Sequence, residues 1–129
     1  MSHFTTVRTR LADGDVLRNA LEGMGHTVEP AGRGVRGWLG QRTDAEFKIK
    51  PTRSKHEIGF APSDDGYVLL ADWWGIRGLD EDTFVRTLKQ QYALVGTIST
   101  LEAQGFEVDR RTDEKSGDIR VVLRRHAGV

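Results

Sequence analysis

The run Tyr67-Val68-Leu69-Leu70-Ala71-Asp72-Trp73-Trp74-Gly75 is the most apolar stretch of a polar chain and holds two of its three tryptophans. It follows Ser63-Asp64-Asp65-Gly66, whose Asp-Gly step suits a tight hairpin turn requiring a positive φ. As a central β-strand it places Tyr67, Leu69, Ala71 and Trp73 in one alternating row and Val68, Leu70 and Trp74 in the other. Apolar residues in both rows predict a strand covered on both faces. Asp72 is its lone charge.

The flanking segments supply partners for that strand. His3 to Leu11 alternates as a strand with one wet face. Asp13-Gly14-Asp15 caps a short helix with apolar positions Val16, Leu17, Ala20, Leu21 and Met24, stopped by Gly25. His26 to Glu29 resumes as a strand, and Val35 to Leu39 is extended and interrupted by Gly37. Ala45 to Lys50 is a half-exposed strand, and Glu57 to Ala61 pairs with the central strand through the hairpin turn. The acids Asp80, Glu81 and Asp82 open the longest helix, striped by Phe84, Val85, Leu88, Tyr92, Val95, Ile98 and Leu101 and ending near Gly105. Its length is about 33 Å at about 1.5 Å per residue. Phe106 to Arg111 and Asp118 to Arg125 form a terminal hairpin.

Residues Leu21 to Glu29 align without gaps on Leu101 to Asp109, with Leu, Glu, Gly and Val identical. Each copy is a helix end, a glycine cap and a following strand, and each helix follows a strand. Two such units build an α+β fold: one antiparallel sheet with both helices on one face, in a ferredoxin-like arrangement. The repeat halves would be 1–56 and 57–129. Helix–glycine–strand junctions also recur for capping reasons alone, so the echo admits either origin.

The chain's 129 residues fit a single domain, 1–129, large enough to bury about two-thirds of its unfolded surface. The absence of cysteine excludes disulfides, thiolate zinc sites and thiol nucleophiles, and fits a reducing cytoplasm. No apolar run approaches the roughly 20 residues that span a bilayer, so the expectation is a cytoplasmic protein with no membrane attachment.

Nineteen basic and nineteen acidic residues cancel, but unevenly. Residues 33–55 carry Arg33, Arg36, Arg42, Lys48, Lys50, Arg53 and Lys55 against Asp44 and Glu46, a net of +5. Residues 57–82 carry seven acids against Arg77 alone, a net of −6. Such a dipolar surface favours a partner or a self-contact over a bulk polyanion.

Asp72, Trp73 and Trp74 are the leading candidate for a partner-binding site. A strand-end acid capping backbone groups, with both tryptophans in the core, is the structural reading of the same residues. The glycines of Gly32-Arg33-Gly34-Val35-Arg36-Gly37-Trp38-Leu39-Gly40 suit anions, yet their spacing fits neither a Walker loop nor a dinucleotide fingerprint. No cofactor is expected. An RNA or anion contact would use Arg33, Arg36, Arg42, Lys48, Lys50 and Arg53 on phosphates, with Trp38 stacking a base. His26, His56 and His126 share no helical spacing, and removal of Met1 would destroy the N-terminal copper or nickel spacing of His3, so no metal site is expected. No nucleophile, base and orienter are grouped, and no catalytic residue is assigned.

The opening Met1-Ser2-His3-Phe4-Thr5-Thr6, the central Tyr67 to Gly75 run, the Gln91-Tyr92-Ala93 step and the closing Ile119 to Arg125 resemble one family over nearly the whole chain. It is the family of the hypothetical chloroplast reading frame thirty-five, found in cyanobacteria, plastids and other bacteria. The most specific piece is Ala71-Asp72-Trp73-Trp74-Gly75. The family carries no established activity, so the resemblance transfers no catalytic residue. It implies an accessory role beside an AAA-type ATPase. The basic segment Thr52 to Lys55 departs from the family pattern.

Three functions follow, in order. The first is a non-enzymatic accessory or adaptor module that binds a protein partner or assembles with copies of itself. The second is an RNA-binding module using the basic 33–55 segment, against which the neutral net charge argues. The third is a small-ligand binder or enzyme centred on Asp72, in a pocket with Glu57, Arg36 or His126.

Overall fold

The computed structural model describes residues 3–113, 115, 116 and 118–125, with Arg110 described by its backbone alone. The chain divides into two compact units, the first ending at Tyr92 and the second beginning at Ala93. The α+β class with an antiparallel sheet and two helices holds.

In the first unit, β1 (Thr5–Leu11), β2 (Glu29–Pro30), β5 (Phe47–Ile49), β6 (Ile58–Ser63) and β7 (Gly66–Ala71) form one antiparallel sheet in the order β1-β7-β6-β5-β2. The short strands β3 (Val35–Arg36) and β4 (Arg42–Thr43) pair with each other as a separate two-stranded sheet. The helix α1 spans Gly14–Gly23, and α2 (Glu81–Ala103) starts in this unit. The second unit holds the rest of α2 and the hairpin of β8 (Phe106–Asp113) and β9 (Ile119–Arg125).

Phe47, Ile49, Ile58, Phe60, Tyr67, Leu69 and Ala71 all point to one sheet face and are buried. Phe47 stacks on Phe60 at 5.4 Å between ring centroids, and α1 lies over them with the Arg18 guanidinium 4.6 Å from the Phe47 ring centre. Asp13 caps α1 by accepting the N–H groups of Asp15 and Val16, which orients Leu17, Ala20 and Leu21 into this core. Asp80 caps α2 by accepting the Thr83 N–H at 3.0 Å, which with the Thr83 hydroxyl holds its carboxyl below the usual range. Phe84 and Leu88 of α2 are buried. The Tyr67 hydroxyl donates to Glu46, and that bond, then burial and the Glu46 charge, push the phenol up to about 12.

Glycines mark where backbone passes closest. At Gly66 (φ 119°) a Cβ would stand 2.7 Å from the Arg10 carbonyl carbon, where β1 bulges with Arg10 itself at φ 61°. The Thr9 hydroxyl secures that bulge, donating to the Tyr67 carbonyl at 2.6 Å and accepting the Leu11 N–H at 3.1 Å. On the opposite sheet face, a Cβ on Gly59 would meet Val35 Cγ2 at 2.2 Å, so the β3–β4 hairpin seats its buried valine directly on the sheet.

Several expectations need correction. The central strand stops at Ala71, and Trp73–Gly75 form a 3₁₀ turn. Its two faces are also unequal: Tyr67, Leu69 and Ala71 are buried while Val68 and Leu70 are half-exposed. The strand predicted at His26 to Glu29 is only Glu29–Pro30 at the sheet edge, where a proline needs no ladder donor. Val35 to Leu39 is not continuously extended, because Trp38–Gly40 turn as 3₁₀ helix. The single ferredoxin-like sheet is not formed, since the terminal hairpin pairs with itself. The internal echo survives locally, with Gly25 and Gly105 ending their helices at φ 93° and 94°.

Candidate functional site

Where β7 ends, Asp72 turns inward and organises three segments. It is 1% exposed, and its Oδ2 accepts the Trp38 N–H at 3.1 Å. The buried His56 ring places Nδ1 2.8 Å from the Asp72 carbonyl oxygen and 3.7 Å from Oδ2. A carbonyl oxygen only accepts, so Nδ1 carries the hydrogen, and Nε2 is an acceptor in neutral imidazole. Two glycines permit this approach. A Cβ on Gly75 would stand 2.3 Å from His56 Nδ1, and one on Gly37 would stand 2.7 Å from Phe4 Cζ.

A second buried carboxylate holds the neighbouring strand. Glu57 Oε1 accepts the Arg36 N–H at 2.8 Å, while Glu57 N–H donates to the Arg36 carbonyl at 3.0 Å. Lys48 Nζ lies 3.1 Å from Glu57 Oε2 and donates to the Gly34 carbonyl at 3.1 Å. With side chains 12% and 7% exposed, Lys48 and Glu57 form a buried ion pair whose remaining valences are satisfied by backbone. Further along, the Arg77 N–H donates to Ser54 Oγ at 2.8 Å and the Lys55 N–H to the Gly75 carbonyl at 3.2 Å. Those two bonds clip residues 54–55 to the turn after Trp74.

The result is a pocket of about 640 Å³ between the 36–40, 50–56 and 74–77 segments. Arg36, Lys50, Arg53, Lys55 and Arg77 line it with Trp38, Trp74 and His56, and no acidic residue lines it. Trp38 is 38% exposed and Trp74 75%. Among the described residues three non-glycines have positive φ, and two of them, Leu39 (φ 51°) and Arg53 (φ 65°), line this pocket. A left-handed conformation costs a side-chain-bearing residue roughly 1–2 kcal/mol, and such strain concentrates at binding sites.

The structure thus gathers Arg36, Trp38, Lys50 and Arg53 of the anion set predicted from sequence. Arg33 and Arg42 are exposed but do not line the pocket, and Lys48 is committed to Glu57. The residues Asp72, Trp73 and Trp74 separate. Asp72 is buried and does not line the pocket, Trp73 is half-buried with its ring 6.2 Å from that of Phe84, and Trp74 is exposed at the pocket. Sequence reasoning missed Lys55, His56 and Arg77 as pocket residues. The signal for Arg77 was its isolation as the one cation within an acidic segment. His26 packs edge-on against Phe84 at 5.8 Å, and its partial burial lowers its pKa. His126 lies outside the described residues. Among the described residues no three histidine or acidic side chains gather to hold a metal, and no helix is long and apolar enough to cross a membrane.

A family profile described as protein of unknown function, DUF1257, matches residues 20–122. The chain is 30% identical over 127 residues to the uncharacterized protein ycf35 of Cyanophora paradoxa, covering 97% of this chain and 98% of that one. It is 29% identical over 131 residues to the proteins of the same name from Pyropia yezoensis and Guillardia theta, with the same coverage. No solved structure gives a significant match.

Proposed function

The chain belongs to the DUF1257 family, and from the pocket's geometry we propose that it binds a small phosphorylated ligand there. The observation that carries this reading is the convergence of Arg36, Lys50, Arg53, Lys55 and Arg77 on one concavity lined by no acid. With no acid on the pocket wall, five cations repel one another, and an anion with several oxygens relieves that repulsion while accepting charge-assisted hydrogen bonds. Arginine suits phosphate because its planar fork donates to two oxygens at once. The pocket volume lies within the range of small-molecule sites, roughly 300–1,000 Å³. Asp72, Glu57 and Ser54 act by positioning: each fixes a backbone segment bearing a cation or a tryptophan.

Mapping backbone amide shifts during titration with inorganic tripolyphosphate tests the proposal. The expected shifts fall on Arg36 to Gly40, Lys50 to His56 and Trp74 to Arg77, and weaken as salt is raised. Shifts confined to other segments, or none at low salt, would contradict it.

A second reading, an adaptor or self-assembling module, draws on the second unit. No described residue from Ala93 onward is fully buried: Leu94, Val95, Ile98, Leu101, Val121 and Leu123 are only partly buried, and Val108 is 42% exposed. Apolar side chains left partly accessible are covered further when a protein surface docks on them. Light scattering on the purified chain is expected to give a mass above 14.4 kDa if copies supply that cover. A strict monomer at all concentrations would count against self-assembly.

A further inference from the structure

We infer that the ligand is a nucleoside polyphosphate, its phosphates on the cations and its base on the indole of Trp74; this rests on the phosphorylated-ligand reading above. Two features go beyond charge. First, Trp74 stands 75% exposed on the pocket wall although the strand that leads to its turn ends at the buried Ala71, followed by the buried Asp72. The turn that displays it is held by Asp72, His56 and the bare α-carbon of Gly75. An apolar surface of that size, set beside cations at a concavity, matches a planar ring attached to phosphate. Trp38 enters from another segment, its backbone N–H fixed on Asp72, so a second indole is presented by the same buried carboxylate.

Second, the cations are gathered, not strung out. Five of them line one pocket of about 640 Å³, which suits the compact charge of a polyphosphate better than the one charge per nucleotide of a strand. The chain carries no net charge, so no long-range field supports strand binding. With no carboxylate on the wall, a base is held by its face more than by its hydrogen-bonding edge, and purine and pyrimidine nucleotides should both bind.

Calorimetric titrations of the whole chain, without divalent cations, compare ATP, UTP, inorganic tripolyphosphate and a ten-residue oligouridylate. The expected order places ATP and UTP roughly tenfold or more tighter than tripolyphosphate, the scale of one stacking contact. Trp74→Ala should bring the nucleotides to near parity with tripolyphosphate, with a far smaller change in tripolyphosphate affinity than in nucleotide affinity, and should leave the melting temperature unchanged because this side chain is exposed. Parity already in the unsubstituted chain would overturn the nucleotide inference and leave the anion site standing. Tightest binding by the oligouridylate would overturn it in favour of a strand. If none of the four binds, the phosphorylated-ligand reading fails with it.

Discussion

Glu57→Ala is expected to cost the fold about 3–5 kcal/mol, the penalty for removing one partner of a buried ion pair. The Lys48 ammonium, 12% exposed, would keep only the Gly34 carbonyl 3.1 Å away, and the Arg36 N–H would lose its acceptor. Against a typical domain stability of about 5–15 kcal/mol this is a large fraction, and chemical denaturation should show it as a much lower midpoint. A paired substitution separates lost attraction from stranded charge. Removing both charges, as Lys48→Met with Glu57→Leu, should recover much of the stability, because apolar replacement of a whole buried pair is often neutral. It should not recover ligand binding fully, because the strand carrying Arg36 loses its side-chain clamp. If Glu57→Ala melts like the unsubstituted chain, the buried pair does not hold the β3–β4 hairpin as described.

The helices were legible because their signals are local. Asp13 and Asp80 cap them, Gly25 and Gly105 close them, and the turn before Tyr67 falls at Gly66 with its positive φ. The end of the central strand was not legible. Trp73 and Trp74 continue the apolar alternation of β7, and nothing local distinguishes a covered strand from a 3₁₀ turn whose first indole is half-buried and whose second is exposed. The terminal β8–β9 hairpin was legible, but its forming a sheet of its own instead of joining the larger one is a long-range outcome that periodicity does not encode. For the site, the excess of cations in residues 33–55 was visible, as was a role for Trp38. Which cations share a pocket depended on contacts 14 to 34 residues apart in sequence, such as Lys48 with Gly34 and Trp38 with Asp72. Arg77 was hidden by its acidic neighbours in sequence, none of which lines the pocket.

Reversing charge at Lys55 and Arg77 together is expected to weaken phosphorylated-ligand binding by about 100-fold or more. Each cation–phosphate hydrogen bond contributes on the order of 1.5–3 kcal/mol, and the new carboxylates add repulsion. Both side chains are exposed, and the bonds that clip this edge use the Lys55 and Arg77 backbone N–H groups, which substitution leaves in place. The double variant Lys55→Glu/Arg77→Glu should therefore fold and melt normally. A matched reversal outside the pocket, Arg33→Glu/Arg42→Glu, changes the net charge equally and isolates the local effect from the global one. Tripolyphosphate titrations of these two variants beside the unsubstituted chain test the site most directly. The account predicts near-complete loss for the Lys55/Arg77 variant and at most a few-fold change for the Arg33/Arg42 variant; equal losses in both, or retained binding in the first, would contradict it.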